Sequence, residues 1–321
     1  MSMSVEKIFD NNWNVEQVDN NLPLISVIIL TYKQQNYLFD TIKSVLEQDY
    51  PSLELILSDD ASGCLHEEAV EEYIVTNKKD NLVSYQIRIN ETNMGTVKHA
   101  NCVVQCATGK YLKFVPCGDK FFSTDSLSKL YKFAKANDSQ ITSSIVMVCS
   151  EDFSTNYYQY PNAIRSKMLQ EYSSEGLFKK LCVSNFIAAI SVLFRKDFFD
   201  IFNFDERYQL LEDWPLWLQV CRSGTKIYHF NEVTMYYADG GISRKDGDAY
   251  ASSALRDDMI KCFELDIIPY SQSIGFISKQ FIYYKYESLK KKSRLFHIKY
   301  APFLIWDQFK YSIKSLIKFI S

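Results

Sequence analysis

Residues 25–32 read ISVIILTY. The first six, Ile25 to Leu30, form a short and almost unbroken apolar run, the pattern of a parallel strand covered on both faces. A helix follows, because Leu38, Ile42, Val45 and Leu46 recur at i, i+4, i+7 and i+8 before Pro51 interrupts the pattern. LELIL, Leu53 to Leu57, is the next strand. A polar helix around Glu67 to Thr76, a strand near Val83 to Ile89, a helix spaced by Val97, Ala100, Val104 and Ala107, and the strand YLKFV continue the alternation. Strands and helices in this order predict an α/β fold with a central, mostly parallel sheet flanked by helices.

After Asp119 the rhythm changes. Leu127, Leu130, Tyr131 and Ala134 mark a further amphipathic helix and Ile145 to Cys149 a further strand, whereas NYYQYPN (156–162) carries no period. An apolar run from Phe186 to Phe194 follows. Then come a helix from about Asp213 with Trp214, Trp217, Leu218 and Cys221 on one stripe, and two short strands, KIYHF and VTMYY. The last seventy residues are helical by pattern. There Trp306, Phe309, Ile313, Leu316, Ile317 and Ile320 form an apolar stripe, with Lys310, Lys314 and Lys318 on another face. Such a helix suits either a membrane interface or a packing role. The expected organisation is a loose polar leader at 1–24, a main domain at 25–245 whose halves are 25–120 and 121–245, and a C-terminal helical, basic amphipathic extension at 246–321.

The chain has 321 residues, 47% of them hydrophobic and 23% charged, an ordinary globular balance that excludes a disordered tail or a fibre. No two of its 10 glycines lie two positions apart, so no GxGxxG dinucleotide fingerprint exists. With 36 basic against 39 acidic side chains, wholesale nucleic-acid binding has no support. The charge is unevenly spread: from Lys279 onward ten Lys and Arg face only Glu287 and Asp307. Eight cysteines without a CxxC pair read as reduced, buried thiols. No secretory signal is visible and the apolar runs are too short to span a bilayer, so the expected location is cytoplasmic, with peripheral contact at the inner face of the membrane.

In an open parallel sheet, ligands bind beyond the carboxyl ends of the strands. Those positions hold Thr31 and Tyr32, then Ser58, Asp59 and Asp60, then Asn93 and Gly95, then Cys117, Gly118 and Asp119. A ring to stack on a base, a carboxylate for its edge and a second carboxylate to hold a cation against phosphates are the requirements of a nucleotide-diphosphate site. Taken alone, Asp59 and Asp60 before Ala61-Ser62-Gly63 read first as turn acids, and Asp119 as an Asx-turn residue. Their recurrence at successive strand ends favours the site. The four histidines show no HExxH or zinc spacing, and neither a GxSxG elbow nor a P-loop occurs.

The segments SVIILTYKQQNYL, SVLEQDYPSLELILSDDAS, NMGTVKHAN, ATGKYLKFVPCGD and LLEDWPLWL, in this order, resemble the family 2 glycosyltransferases of GT-A fold. The resemblance covers about Ile25 to Ser243. It implies inverting transfer of a sugar from a nucleotide-diphosphate donor to an acceptor hydroxyl, with a divalent metal, Mn2+ or Mg2+. By resemblance Tyr32 stacks on the base beside Thr31, Asp60 reads the base edge, and Gly95 and Lys98 pass near the donor phosphates. Asp119 matches the last acid of the Asp-x-Asp signature and so the metal position. Cys117 and Gly118 depart from that signature, and Asp239 in MYYADGGIS stands where relatives have His, which makes it a second metal candidate; a turn acid before two glycines is the simpler account.

Asp213 resembles the catalytic base of the Glu-Asp motif. Pro215 places it at the mouth of a helix, where it would otherwise serve only as an N-cap. Glu212 and Trp214 are the expected acceptor contacts. The function implied is a sugar transferase of surface-polysaccharide synthesis, using a UDP- or dTDP-sugar and a lipid-linked or polymeric glycan acceptor, with no nucleic-acid partner. Two alternatives stay open: a non-catalytic nucleotide-sugar-binding module, suggested by Cys117 and Gly118, and a protein O-glycosyltransferase acting on a surface adhesin.

Overall fold

The computed structural model describes residues 5–12, 22–239, 253–290 and 294–306. Strand β2 (Ile25–Thr31) is the hub of the sheet. It lies parallel to β3 (Leu53–Asp59) on one side and to β5 (Tyr111–Phe114) on the other, and β3 pairs in parallel with β4 (Leu82–Asn90). Their apolar runs are continuous because successive side chains enter two different cores. Ile25, Val27 and Ile29 join Leu53, Leu55 and Leu57 on one face, while Ile28 and Ile56 point to the other.

Helices α1 (Leu38–Leu46), α2 (Glu67–Asn77) and α4 (Ser126–Ala136) cover the first face. Helix α3 (Thr96–Cys106), with α5 (Ala163–Glu171), α6 (Ser174–Leu181) and α7 (Asp213–Arg222), covers the second. The remaining strands are β1 (Val5–Asn12), β6 (Lys120–Phe121), β7 (Ile141–Cys149), β8 (Asn156–Tyr160), β9 (Leu193–Arg195) and β10 (Tyr228–Ala238). The sheet order is β1-β4-β3-β2-β5-β9-β7-β10-β6, with β8 paired to β7.

Three expectations are corrected. The supposedly loose leader contains β1, which pairs antiparallel with β4 and covers the edge that β4 would otherwise leave open. NYYQY is strand β8; its side chains are almost all exposed, and backbone pairing with β7 holds it, so no period is written in it. KIYHF and VTMYY belong largely to one strand, β10, broken only by register shifts around exposed Asn231 and Glu232.

The C-terminal segment forms α8 (Ser253–Cys262), a π-turn at Phe263–Ile267, a 3₁₀ stretch at Ile268–Ser273, α9 (Phe276–Leu289) and α10 (Arg294–Lys299). Its first part builds on the main core, where Leu255, Met259, Cys262, Phe263 and Ile282 share a cluster with Trp214 and Trp217, while Tyr284, Phe296 and Tyr300 form a small cluster of the segment's own. The stripe from Phe309 to Ile320 and its lysines lie outside the described residues. Among the described residues no helix is long and apolar enough to cross a membrane.

Candidate active site

A cavity of about 1000 Å³ opens at the carboxyl ends of the parallel strands. Thr31, Tyr32, Asp60, Gly95 and Asp119 line it from the first half of the chain, and Glu212, Asp213 and Trp214 from the second. Eight of the ten expected site residues are thereby brought together. Lys98 is not: it is exposed on α3, and its neighbour His99 faces the cavity instead. Asp239 is also outside the wall; it follows β10, where its N–H donates to Cys149 O at 2.8 Å.

On the wall formed by the first half of the chain, Tyr32 is 41% exposed, which leaves a ring face available for stacking. Asp60 is buried and organises the loop between β4 and α3. Its Oδ1 accepts from Asn90 Nδ2 at 3.0 Å and Met94 N–H at 2.9 Å, and its Oδ2 from Gly95 N–H at 3.0 Å. Asp59 is instead a turn acid, accepting from Ser62 N–H at 2.7 Å. His99 reaches Ser58 Oγ at 2.7 Å from behind, and burial lowers its pKa to about 4 despite the Asp60 charge.

Asp119 ends the turn after β5. Thr41 Oγ1 fixes this turn, accepting from Gly118 N–H at 3.1 Å and donating to Asp119 O at 2.9 Å. Ala238 N–H donates to Asp119 Oδ1 at 3.0 Å, and the described hydrogen bonds leave Oδ2 open. Burial raises the carboxyl to about 7 against the opposing pull of Ala238 and of the buried Lys113. A lone buried carboxylate facing a cavity is a place where a cation can stand instead of a proton. Cys117 does not add a ligand: its thiol donates to Gln34 O at 3.1 Å, and burial pushes it up to about 12. No group of three or more His, Cys, Asp or Glu able to hold a metal occurs among the described residues. The residues therefore fit a hard cation shared with phosphate oxygens and water rather than one caged by protein.

On the wall formed by the second half of the chain, Asp213 opens α7. Its Oδ2 accepts from Asn185 Nδ2 at 2.9 Å and its Oδ1 from Trp214 N–H at 2.5 Å. Burial holds its pKa above the usual carboxylate range, and those two donors only partly offset this. Burial and the adjacent Asp213 charge push Glu212 up as well, against the weaker pull of its own backbone N–H. Two neighbouring carboxyls of this kind titrate together, and the donors on Asp213 favour its charged form. Trp214 is a core residue despite touching the cavity: it is 3% exposed, and its Nε1 donates to Leu181 O at 2.9 Å. Asn185 and His99 were not singled out from the sequence. His99 lies within NMGTVKHAN and Asn185 in no quoted segment, and for both only proximity in space marks the role.

A cleft at the carboxyl ends of a mostly parallel α/β sheet, lined by exposed Tyr32, buried Asp119 and the carboxyl pair Glu212–Asp213, is the arrangement of a glycosyltransferase of GT-A architecture. The chain belongs to the family described as Glycosyl transferase family 2, whose model matches residues 26–202. It is 24% identical over 311 residues, 94% of this chain and 91% of the relative, to an uncharacterized glycosyltransferase of Haemophilus influenzae. It is also 24% identical to the Escherichia coli UDP-Glc:alpha-D-GlcNAc-diphosphoundecaprenol beta-1,3-glucosyltransferase WfaP, over 67% of this chain and 77% of WfaP. Among solved structures, S. aureus TarS 1-349 with UDP-GlcNAc superposes with TM-score 0.58 at 18% identity, covering 83% of this chain and 72% of that one. The mannosyltransferase PcManGT of Pyrobaculum calidifontis, solved with GDP-Man and Mn2+, gives 0.57 at 15% identity, covering 86% and 73%.

Proposed function

We propose that this glycosyltransferase inverts the anomeric centre of a UDP- or dTDP-sugar and transfers the sugar to a hydroxyl of a lipid-linked or polymeric glycan, in the assembly of a surface polysaccharide. One observation carries the reading: a single cavity receives Tyr32 and Asp119 from one half and Glu212 and Asp213 from the other. Relatives named for lipid-linked and wall-polymer chemistry support the acceptor class.

In this reading Tyr32 stacks on the base and Asp60 reads its edge, while the amides that Asp60 holds shape the loop that carries Gly95 to the diphosphate. A divalent cation, Mn2+ or Mg2+, would be held by Asp119 with donor phosphate oxygens and water, and it supplies neutralisation of charge on the departing diphosphate. Asp213 takes the proton of the acceptor hydroxyl as that oxygen bonds to the anomeric carbon and the bond to the diphosphate breaks. Asn185 keeps the base oriented, and neutral Glu212 donates a hydrogen bond to the acceptor. Base catalysis of this kind contributes ~10²- to 10⁴-fold.

The test is thermal stability of the purified protein across a panel of nucleotide sugars with and without Mn2+. A bound donor at 100 times its Kd stabilises by about 2.7 kcal/mol. Stabilisation by a UDP- or dTDP-sugar, accompanied by slow release of the nucleoside diphosphate, is the expected result. A panel without any shift rejects the donor reading, and binding without turnover in the presence of a glycan acceptor favours a non-catalytic module.

A further inference from the structure

The family match ends at residue 202, short of Asp213 and of the whole C-terminal segment. Yet a side chain from that segment holds the loop that delivers the carboxyl pair. Asp258 of α8 is 1% exposed, and its Oδ2 accepts from three successive backbone amides, Gln209 at 2.7 Å, Leu210 at 2.7 Å and Leu211 at 3.3 Å. Converging N–H groups of this kind form an anion-holding nest, and bonds to an ionised acceptor are the stronger class. Lys261 Nζ meets the other oxygen at 3.4 Å.

The same loop abuts the donor side. Gln209 O accepts from Val97 N–H at 3.3 Å, and a Cβ on Gly95 would meet Gln209 Cγ at 3.0 Å and Gln209 O at 3.2 Å. Gly95 in turn donates to Asp60. Residues 209–211 are thus wedged between the donor loop and α8, immediately before Glu212 and Asp213. A second acid of the segment, Asp266, secures the flanks, accepting from the Tyr208 hydroxyl and from Arg222 Nη2 at 2.9 Å.

We propose that Asp258 is a positioning residue for the transfer reaction, so that the C-terminal segment completes the active site by clasping residues 209–211 and thereby fixing the carboxyls of Glu212 and Asp213 in the cavity. This rests on the reading of Asp213 as the base. A displacement of about 1 Å at a reacting group suffices to lose roughly 100-fold in rate, which is the scale expected when three amides lose their common anchor.

The test uses the full chain carrying Asp258→Asn, with Asp266→Asn as a companion that loosens neighbouring side chains but leaves the three amides held. Hydrogen exchange of amides 209–214 is read alongside UDP release from UDP-glucose. For Asp258→Asn, exchange at 209–214 quickens while that of the parallel strands is unchanged, and kcat falls roughly 100-fold with donor KM within about twofold. Asp258→Glu recovers part of the rate, and Asp266→Asn leaves exchange at 209–211 near that of the unmodified chain. Unchanged exchange at 209–214, an unchanged kcat, or a raised KM with kcat intact overturns the proposal. If the unmodified chain releases no UDP from UDP-glucose, kcat is read with the nucleotide sugar that stabilises the chain in the panel. Failure of the whole panel rejects the donor reading on its own account, and the exchange measurement still decides whether Asp258 clasps the loop.

Discussion

Asn185 donates from Nδ2 to Asp213 Oδ2 at 2.9 Å, across a gap of 28 residues in sequence. Together with the Trp214 N–H on Oδ1, it fixes the carboxylate in one rotamer at the start of α7. Both donors favour the ionised form, burial opposes it, and burial prevails. The result is a carboxylate with more proton affinity than an ordinary Asp, which suits a base working near neutral pH.

Asp213→Asn removes the proposed base while preserving shape. Turnover should drop by ~10²- to 10⁴-fold, with donor affinity largely retained because Tyr32 and Asp119 are untouched. Steady-state UDP release paired with calorimetric donor binding checks this. Equal loss of binding and turnover would place Asp213 among the donor contacts instead.

Asn185→Ala deletes a donor that lowers the Asp213 pKa. The sign follows directly: without that hydrogen bond the acid form gains, the pKa rises further, and the acidic limb of the kcat profile moves to higher pH. Above the limb the rate should be lower by about tenfold, the loss expected when an orienting contact goes. A profile that keeps its acidic limb in place would mean that Asn185 orients nothing.

Gly95 has φ +78°, and any Cβ there meets Gln209 at 3.0–3.2 Å. Gly95→Ala should destabilise by about 1–3 kcal/mol through backbone strain, and the loop held by Asp60 should bind donor more weakly. Urea denaturation and donor titration report the two effects separately. An alanine variant as stable as the parent would show that the positive φ relaxes without consequence.

The parallel core was legible because burial on both faces writes itself into composition: Ile28 and Ile29 enter opposite cores, yet both must be apolar. The strand-end acids were legible for the same reason, since the sheet fixes where Thr31, Asp60 and Asp119 emerge. Tyr157 and Tyr158 gave no signal because β8 is held by backbone bonds and buries no face. Lys98 lies one helical step off the cavity wall: α3 turns His99 inward and Lys98 to solvent, a phase that the motif alone does not show. Asn185 and Asp258 act on partners 28 and 47–49 residues away, a relation that no local pattern encodes.

The chain around α10 buries Phe296 and Tyr300 while exposing Ile298 (76%), Ile305 (66%) and Trp306 (52%), in a region where lysines predominate. This apolar and basic combination suits an anionic bilayer surface. Removing residues 307–321 should weaken partition onto phosphatidylglycerol vesicles, and raised salt should weaken the intact chain likewise. Partition unaffected by both would leave the segment a packing element only.

His229 provides a pH test of the fold that is independent of the cavity chemistry. Its Nδ1 lies 3.0 Å from Ser143 Oγ, its Nε2 is buried without a partner, and burial lowers its pKa from 6.5 to about 4. Between these values the unfolded chain holds a proton that the folded chain refuses, so stability falls as pH drops from 6.5 toward 4 and is regained above 6.5. Each pKa unit corresponds to about 1.4 kcal/mol, which sets the scale of the loss. In His229→Gln the unfolding free energy should decline less steeply between pH 7 and pH 5, by up to one proton in slope. Buried acids such as Glu212 and Asp119 titrate in both proteins and cancel in the difference. Denaturation curves measured across this range should therefore converge toward acid pH; parallel curves would mean that the imidazole is protonated as readily in the fold as outside it.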